Sequence, residues 1–269
     1  MGWMRWVRVV PLVLFVATNA WADPPKAAPK PAPQPQKKAS APSPVAASRL
    51  WHQKPSGKSA SVDDKGKPKL ALQGLNIPDH VELVARNDRG GFSAEDLDRA
   101  AHVMRDHGGN EHPIHPHLLD LVYRLQVHFA AHEIRIISGY RAPRNNAQRS
   151  NHGKGRAIDL VVPGASDEEV AKFAREQGFV GVGVYPVSGF VHLDVRERSF
   201  FWVDSSGPGK RSRLRGVLAD VASRSDKEAT ARGERSVGPF FVGTNVDAAI
   251  GTTAIAQQDD DDDDNDATM

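Results

Sequence analysis

The amino-acid sequence predicts an α+β domain in which a small antiparallel sheet is flanked by helices. Amphipathic segments with helical periodicity are interspersed with short runs that have the two-residue period of strands. Two of these runs, 180–186 and 189–197, are separated by a short turn, which favours a hairpin. The stretch from 70 to 205 has the usual length of a single domain with its own core.

Three segments are predicted to be helices, at 92–108, 115–132 and 166–178. Ser93 with Asp96, and Ser166 with Glu169, have the spacing of capping boxes, in which two side chains satisfy free backbone N–H groups at a helix start. Pro116 lies near the start of the second segment, where the N–H that proline lacks is not needed.

Four segments are predicted to be strands, at 133–139, 156–162, 180–186 and 189–197. Because successive side chains of a strand point to opposite faces, Asp159 shares a face with Ala157. By the same alternation, His192 shares a face with Asp194 and Arg196. Two strands of one sheet could therefore direct Asp159 and His192 toward a common point.

The first residues of the chain predict export. Residues 1–22 contain two early arginines, an apolar segment and a final Ala-Trp-Ala, so we predict a signal peptide cleaved after Ala22. Its apolar core is shorter than the ~20 residues that span a bilayer, so we expect no stable membrane span after cleavage. The predicted location is the periplasm or the outside of the cell.

The segments on either side of the domain differ from it in composition. Residues 23–69 are rich in Pro, Ala and Lys and are predicted to be a disordered linker. Residues 206–269 are predicted to be a largely disordered tail, which could form one short helix around 214–222. The tail ends in an acidic run at 257–266, whose like charges repel one another.

A histidine in a glycine-rich turn and a nearby aspartate indicate a metal site. The stretch SNHGKGRAIDLVV places His152 in the turn and Asp159 in the following strand, and His192 follows on another strand. The chain has no cysteine, so ligands have to come from His, Asp and Glu. Two imidazoles and one carboxylate form the three-ligand set that catalytic zinc sites use, with a fourth position for water.

Other patterns carry less weight. The segment HPIHPH holds His112, His115 and His117, but its prolines and its position before a helix favour a helix-entry loop. A P-loop, a zinc-protease HExxH motif and a GxSxG elbow are all missing from the sequence. In SGYRAP, Arg141 offers a planar fork that suits a carboxylate. This stretch alone favours a solvent-facing loop arginine, whereas a neighbouring metal site favours a carboxylate anchor.

Three segments carry a family resemblance: SGYRAPRNN, SNHGKGRAIDL and GVGVYPVSGFVHLDVR. They resemble the zinc peptidases that share a fold with lysostaphin, the D-alanyl-D-alanine peptidases and the sonic hedgehog domain. The similarity is greatest to the murein endopeptidase K-like branch and extends over about 116–202. The motif SxHxxGxAxD is filled by Ser150, His152, Gly155, Ala157 and Asp159.

The resemblance implies a hedgehog/DD-peptidase-like fold and zinc bound by His152, Asp159 and His192. It implies a periplasmic enzyme that hydrolyses peptide cross-links in peptidoglycan, with Arg141 orienting the stem peptide. We therefore expect peptidoglycan stem peptides as partners, no nucleic acid, and a monomer. A basic groove near Arg141, Arg144 and Arg156 would suit the carboxylates of the stem peptide.

One position departs from the family pattern. Many relatives have an acidic general base three residues before the last histidine ligand, where this chain has Gly189. Asp194 then remains as the candidate carboxylate, either as the base, which we prefer, or as a residue that orients a ligand. Arg141 or Tyr185 could stabilise the developing oxyanion. Two other functions stay open, a non-catalytic wall-binding module that keeps the zinc fold and a D,D-carboxypeptidase.

Overall fold

The computed structural model describes residues 49–142, 150–207, 210, 214–215 and 218–237. The predicted signal peptide, most of the predicted linker, Arg144 and the acidic run lie outside these residues. Within the described residues, the structure contains no helix with the length and apolar character that a membrane crossing requires.

The described chain is an α+β domain, as the sequence predicts. Its strands are β1 (Leu70–Gly74), β2 (His80–Leu83), β3 (Ile134–Ser138), β4 (Ala157–Val161), β5 (Val180–Tyr185), β6 (Phe190–Val195), β7 (Phe200–Asp204) and β8 (Leu214–Arg215). Its helices are α1 (Ala94–Val103), α2 (Pro116–His128), the short 3-10 helix η1 (Asn151–Lys154), α3 (Asp167–Arg175) and α4 (Ala219–Ala231).

The sheet is larger than predicted and is mixed rather than antiparallel. Eight strands lie in the order β2-β1-β3-β4-β6-β5-β7-β8. The predicted hairpin of β5 and β6 is present, and β4 pairs antiparallel with β6. However, β1 runs parallel to β3, and β5 runs parallel to β7. The prediction of a small antiparallel sheet was wrong in these respects because it rested on four strands and left β1, β2, β7 and β8 out.

The helix starts follow the sequence signals. Ser93 and Asp96 form the predicted capping box at the start of α1, and Ser166 and Glu169 form the one at α3. His115 is the N-cap of α2 and accepts a hydrogen bond from the His117 backbone N–H at 3.3 Å. The HPIHPH segment therefore enters a helix, as its prolines indicated. Helix α4 ends nine residues beyond the short helix expected around 214–222.

The core lies where α1, α2 and α3 cover apolar side chains of the sheet. Leu118, Leu121 and Leu125 of α2 are fully buried. They join one cluster with Leu193 of β6 and Val182 of β5. Each such side chain contributes roughly 1.5–3 kcal/mol by leaving water, so β5 and β6 are held firmly at the centre of the sheet.

Residues that precede β1 also contact the domain. The Arg135 guanidinium of β3 donates to the backbone carbonyls of Leu50, Trp51 and Gln53 at 2.7 to 3.2 Å. The backbone N–H of Gly164 donates to the carbonyl of His52 at 3.0 Å. These backbone contacts hold the segment around 50–53 beside the place where β3 begins and β4 ends.

Candidate metal centre

Two neighbouring strands position two of the predicted ligands. Asp159 of β4 lies directly opposite His192 of β6 in the antiparallel register. Directly paired residues have their side chains on the same face of a sheet, a few ångströms apart. The alternation expected from the sequence therefore brings these two side chains together.

The third predicted ligand comes from the turn before β4. Ser150 caps η1 by accepting a hydrogen bond from the His152 backbone N–H at 3.3 Å. Gly155 ends the turn in the left-handed region, with φ of 64°. A Cβ at Gly155 would lie 2.1 Å from the Pro113 carbonyl oxygen, so only glycine fits between this turn and the helix-entry loop. This close packing holds the turn that carries His152 directly before the start of β4.

Three ligand atoms converge at one point. His192 Nδ1 lies 2.9 Å from Asp159 Oδ1 and 3.1 Å from His152 Nε2. His152 Nε2 lies 3.3 Å from Asp159 Oδ1. All three residues are buried, and within the described ranges they are the one group of three or more His, Cys, Asp or Glu side chains that could hold a metal ion.

The other ring nitrogen of each histidine is held by the protein. His152 Nδ1 donates to the Gly139 carbonyl oxygen at 2.6 Å, which leaves the Nε2 lone pair directed at the other ligands. His192 Nε2 donates to Asp194 Oδ2 at 2.9 Å. The Arg196 guanidinium donates to both Asp194 oxygens at 2.7 Å, so this carboxylate is fully engaged. Such outer contacts fix the ring orientation and tautomer of metal-binding histidines.

The pKa values show how the site distributes charge. Burial lowers the pKa of His152 in spite of the nearby Asp159. Burial opposes ionisation of Asp159, but His152 and Arg141 hold the pKa of that carboxyl well below its usual range. For His192, hydrogen bonds to two carboxylates outweigh burial and raise the pKa to about 8. The site thus combines an ionised Asp159 carboxylate with two imidazoles of different basicity, because the pKa of His152 is lowered and that of His192 is raised.

Asp194 lies behind the ligands. It is fully buried, and it contacts the ring nitrogen of His192 that points away from Asp159 and His152. Burial would raise its pKa, but Arg196 and His192 hold the pKa of Asp194 well below the usual range. In this position Asp194 can hold the His192 ring from the side remote from the other two ligands.

Arg141 lies beside His152 and Asp159. Its backbone N–H donates to the His152 carbonyl at 3.4 Å, and its guanidinium Nη2 lies 3.4 Å from Asp159 Oδ2. The side chain is 55% exposed, so most of the guanidinium faces solvent.

Tyr185 and Trp202 form an aromatic wall beside His192. The Trp202 ring lies 5.1 Å from the His192 ring, and its Nε1–H donates to the Tyr185 hydroxyl at 3.2 Å. Tyr185 also stacks on Phe190 at 4.5 Å. Burial raises the pKa of Tyr185 to about 12, so the hydroxyl keeps its proton.

The sequence analysis missed the roles of Trp202 and Arg196. Trp202 lies on β7, which was not predicted, although the run of aromatic and β-branched residues in FFWVD would have suggested a strand. Arg196 was placed on the His192 face, but its pairing with Asp194 was not foreseen.

The HPIHPH histidines do not converge. His115 is buried and caps α2, whereas His112 stacks on Tyr140 with ring centroids 4.9 Å apart. His117 lies edge-on to His115 at 5.3 Å. The interpretation of this segment as a helix-entry loop agrees with these contacts.

Comparison with known proteins matches the same part of the chain. The Peptidase_M15_2 family model, described as Peptidoglycan L,D-endopeptidase MepK, matches residues 66–199. The chain is 35% identical over 137 residues to Peptidoglycan L,D-endopeptidase MepK of Escherichia coli K12, covering 46% of this chain and 75% of that protein. It is 35% identical over 117 residues to a Haemophilus influenzae protein named Probable peptidoglycan L,D-endopeptidase MepK, covering 39% and 63%.

No solved structure gave a significant match. The family model covers the strands that carry the buried His-Asp-His group. The chain therefore belongs to the Peptidase_M15_2 family of MepK-type peptidoglycan L,D-endopeptidases.

Proposed function

We propose that the chain is a zinc-dependent L,D-endopeptidase that hydrolyses peptide cross-links of peptidoglycan. The observation that carries this proposal is the convergence of His152, Asp159 and His192 in a chain of the MepK family. The hedgehog/DD-peptidase-like fold of that branch is part of the same proposal. A mixed sheet with the ligands on neighbouring strands supports it.

The donor set suits zinc. Two imidazole nitrogens and one carboxylate oxygen, without thiolate, are a common ligand set of catalytic zinc. The ligand atoms lie 2.9 to 3.3 Å apart, close to the ~3.3 Å edge of a tetrahedron with ligands about 2.0 Å from its centre. Bound there, zinc would supply Lewis acidity and lower the pKa of water toward neutrality.

The protein side chains would position the substrate around this centre. We propose that the Arg141 guanidinium binds a carboxylate of the stem peptide, because it is half exposed and directly beside Asp159. The Tyr185 hydroxyl, which keeps its proton, would donate to the oxyanion that develops on the scissile carbonyl. We propose that Asp194 orients His192 and does not touch the substrate.

The proposed location is the periplasm or another site in contact with the wall. The expected signal peptide and the name of the relatives support this, since peptidoglycan lies outside the cytoplasmic membrane.

The test is digestion of purified cross-linked muropeptides with the zinc-loaded protein, followed by mass spectrometry of the products. We expect dimers joined through an L,D bond to become monomers. We expect Asp159→Asn, which removes one charged ligand without changing the size of the side chain, to abolish both zinc binding and cleavage.

Two results would contradict the proposal. Loss of a single terminal D-alanine, with dimers intact, would indicate the D,D-carboxypeptidase alternative. Unchanged muropeptides together with binding to intact wall would indicate the non-catalytic module.

A further inference from the structure

One row of residues crosses the sheet at the level of the metal centre. Asp159 of β4 pairs with His192 of β6, and His192 pairs with Gly183 of β5. Gly183 in turn pairs with Trp202 of β7. The two ligands and the indole therefore stand in one line, and the residue between His192 and Trp202 has no side chain.

Gly183 makes room for the indole to lie across the sheet. A Cβ at this position would lie 2.3 Å from Cε2, 2.4 Å from Cζ2 and 2.5 Å from Nε1 of Trp202. Real Cβ atoms do not approach ring atoms so closely, so any other residue would push the indole away. The absence of a side chain at Gly183 thus brings Trp202 up to His192 and Tyr185.

The hydrogen bond between Trp202 and Tyr185 has only one possible direction. An indole N–H can donate but cannot accept, so the Tyr185 oxygen accepts at 3.2 Å. The proton of the Tyr185 hydroxyl must therefore point away from Trp202. Stacking on Phe190, with the rings 15° from parallel, restrains the phenol plane and leaves rotation of the hydroxyl as the remaining freedom.

Tyr185 lies on the same face of the sheet as His192, because it pairs with Phe190, which stands two residues before His192 on β6. Burial is the main cause that raises the pKa of Tyr185, and the charges of Asp159 and Arg141 also reach the phenol. The phenol therefore lies within electrostatic reach of the ligands, and it keeps a proton that an oxygen of the substrate can accept.

We propose that Trp202 is a positioning residue, which occupies one lone pair of the Tyr185 oxygen and so directs the hydroxyl proton at the reacting carbonyl. This inference rests on the proposed function and adds to it a residue of β7. Trp202 does not itself touch the reacting atoms.

A double-mutant cycle of Trp202→Phe and Tyr185→Phe tests this inference on cross-linked muropeptides. Trp202→Phe keeps a ring over Gly183 but removes the donor. Tyr185→Phe removes the hydroxyl and is expected to lower kcat by about 10²-fold, the usual loss for one oxyanion donor. We expect Trp202→Phe to lower kcat by about tenfold with KM and zinc content unchanged, and the double variant to be no slower than Tyr185→Phe alone.

The matched control is Trp51→Phe, the same change at a half-buried tryptophan outside the row, which should leave kcat unchanged. Losses from Trp202→Phe and Tyr185→Phe that multiply in the double variant would overturn the inference, because independent residues add in free energy.

A second measurement does not need activity. The indole N–H resonance of Trp202, assigned by its absence from Trp202→Phe, should move on Tyr185→Phe if the hydrogen bond exists. An unmoved resonance would overturn the inference. If the resonance moves but the wild-type protein does not cleave muropeptides, the proposed function is wrong, whereas the hydrogen bond between Trp202 and Tyr185 is still supported.

Discussion

Each histidine of the triad uses one ring nitrogen for the site and the other for the protein. His152 is held by a backbone carbonyl, which has no charge, whereas His192 is held by the buried Asp194. Asp194 is in turn held by both arms of Arg196. This chain of contacts makes His192 the more basic ligand and fixes the orientation of its ring. Hydrogen-bond partners of metal ligands usually have these two effects.

Replacement of Asp194 distinguishes an orienting residue from a base. Asp194→Asn keeps an oxygen that can accept from His192 Nε2, but it loses the charge that pairs with Arg196. We expect zinc affinity to fall by roughly 10–100-fold and cleavage to recover when zinc is added in excess. Calorimetric zinc titration and muropeptide cleavage at several zinc concentrations provide the measurement.

The opposite pattern would restore the general-base role for Asp194. In that case zinc would bind as tightly as in the wild type, and no zinc concentration would recover cleavage. Arg198→Met is a suitable control, because it removes an exposed arginine two residues from Arg196 and should change neither property.

At the level of elements, β5 leaves space for the side chains on its neighbours. Gly181 pairs with Asp194 of β6 and with Phe200 of β7, two residues along β5 from Gly183 and on the same face of the sheet. A Cβ at Gly181 would lie 2.1 Å from Asp194 Oδ2 and 2.7 Å from Arg196 Nη2. In VGVGVY, Gly183 thus leaves space for Trp202, and Gly181 leaves space for the Asp194–Arg196 pair.

Gly181→Ala should therefore destabilise the domain. Asp194 is fully buried and cannot move away without breaking its contacts, so we expect a loss of about 1–3 kcal/mol in the free energy of unfolding, together with weaker zinc binding. Chemical denaturation gives the first quantity. Gly207→Ala is the matched control, because the nearest atom to its Cβ would lie at an ordinary 3.6 Å. Equal stability of the two variants would contradict the prediction, because it would mean that Asp194 can move away from the added methyl group without loss of stability.

The sequence predicted the elements around the ligands better than it predicted the rest of the sheet. Alternation was sufficient to place Asp159 and His192 on one side, and the serine caps marked the starts of α1 and α3. Strand β1 was not predicted, because LALQG is buried along nearly its whole length and its apolar and polar residues do not alternate. The parallel pairings and the place of Trp202 depend on strands far apart in the chain, and no local pattern contains that information.

At the scale of the whole molecule, the helix-entry loop links α2 to the turn that carries His152. The His115 backbone N–H donates to the Gly155 carbonyl oxygen at 2.9 Å. Burial, followed by the charges of Arg156 and His117, lowers the pKa of His115 to about 4. The folded domain therefore keeps this imidazole neutral at a pH where an unfolded chain would protonate it.

His115 should make global stability dependent on pH. Between its usual pKa of ~6.5 and about 4, the unfolded state binds a proton that the folded state does not, so stability falls as the pH falls through this window. The loss approaches roughly 3 kcal/mol at pH 4. His115→Asn keeps an acceptor for the cap of α2 and should flatten this dependence in urea unfolding measured from pH 4 to pH 7.

The exposed His107→Asn provides the control, since it also removes one imidazole but should retain the wild-type slope. A slope that is the same in His115→Asn and in the wild type would assign the pH dependence to other groups.

The pairing of β4 with β6 determines at which stage of folding the chain can first hydrolyse peptidoglycan. The ligands stand on separate strands and a turn, so an unpaired polypeptide offers a cation only scattered, weak contacts. The chain therefore cannot hydrolyse peptidoglycan until β4 and β6 have paired. Hydrolysis of peptide bonds in peptidoglycan can therefore begin only in the compartment where the chain completes its folding.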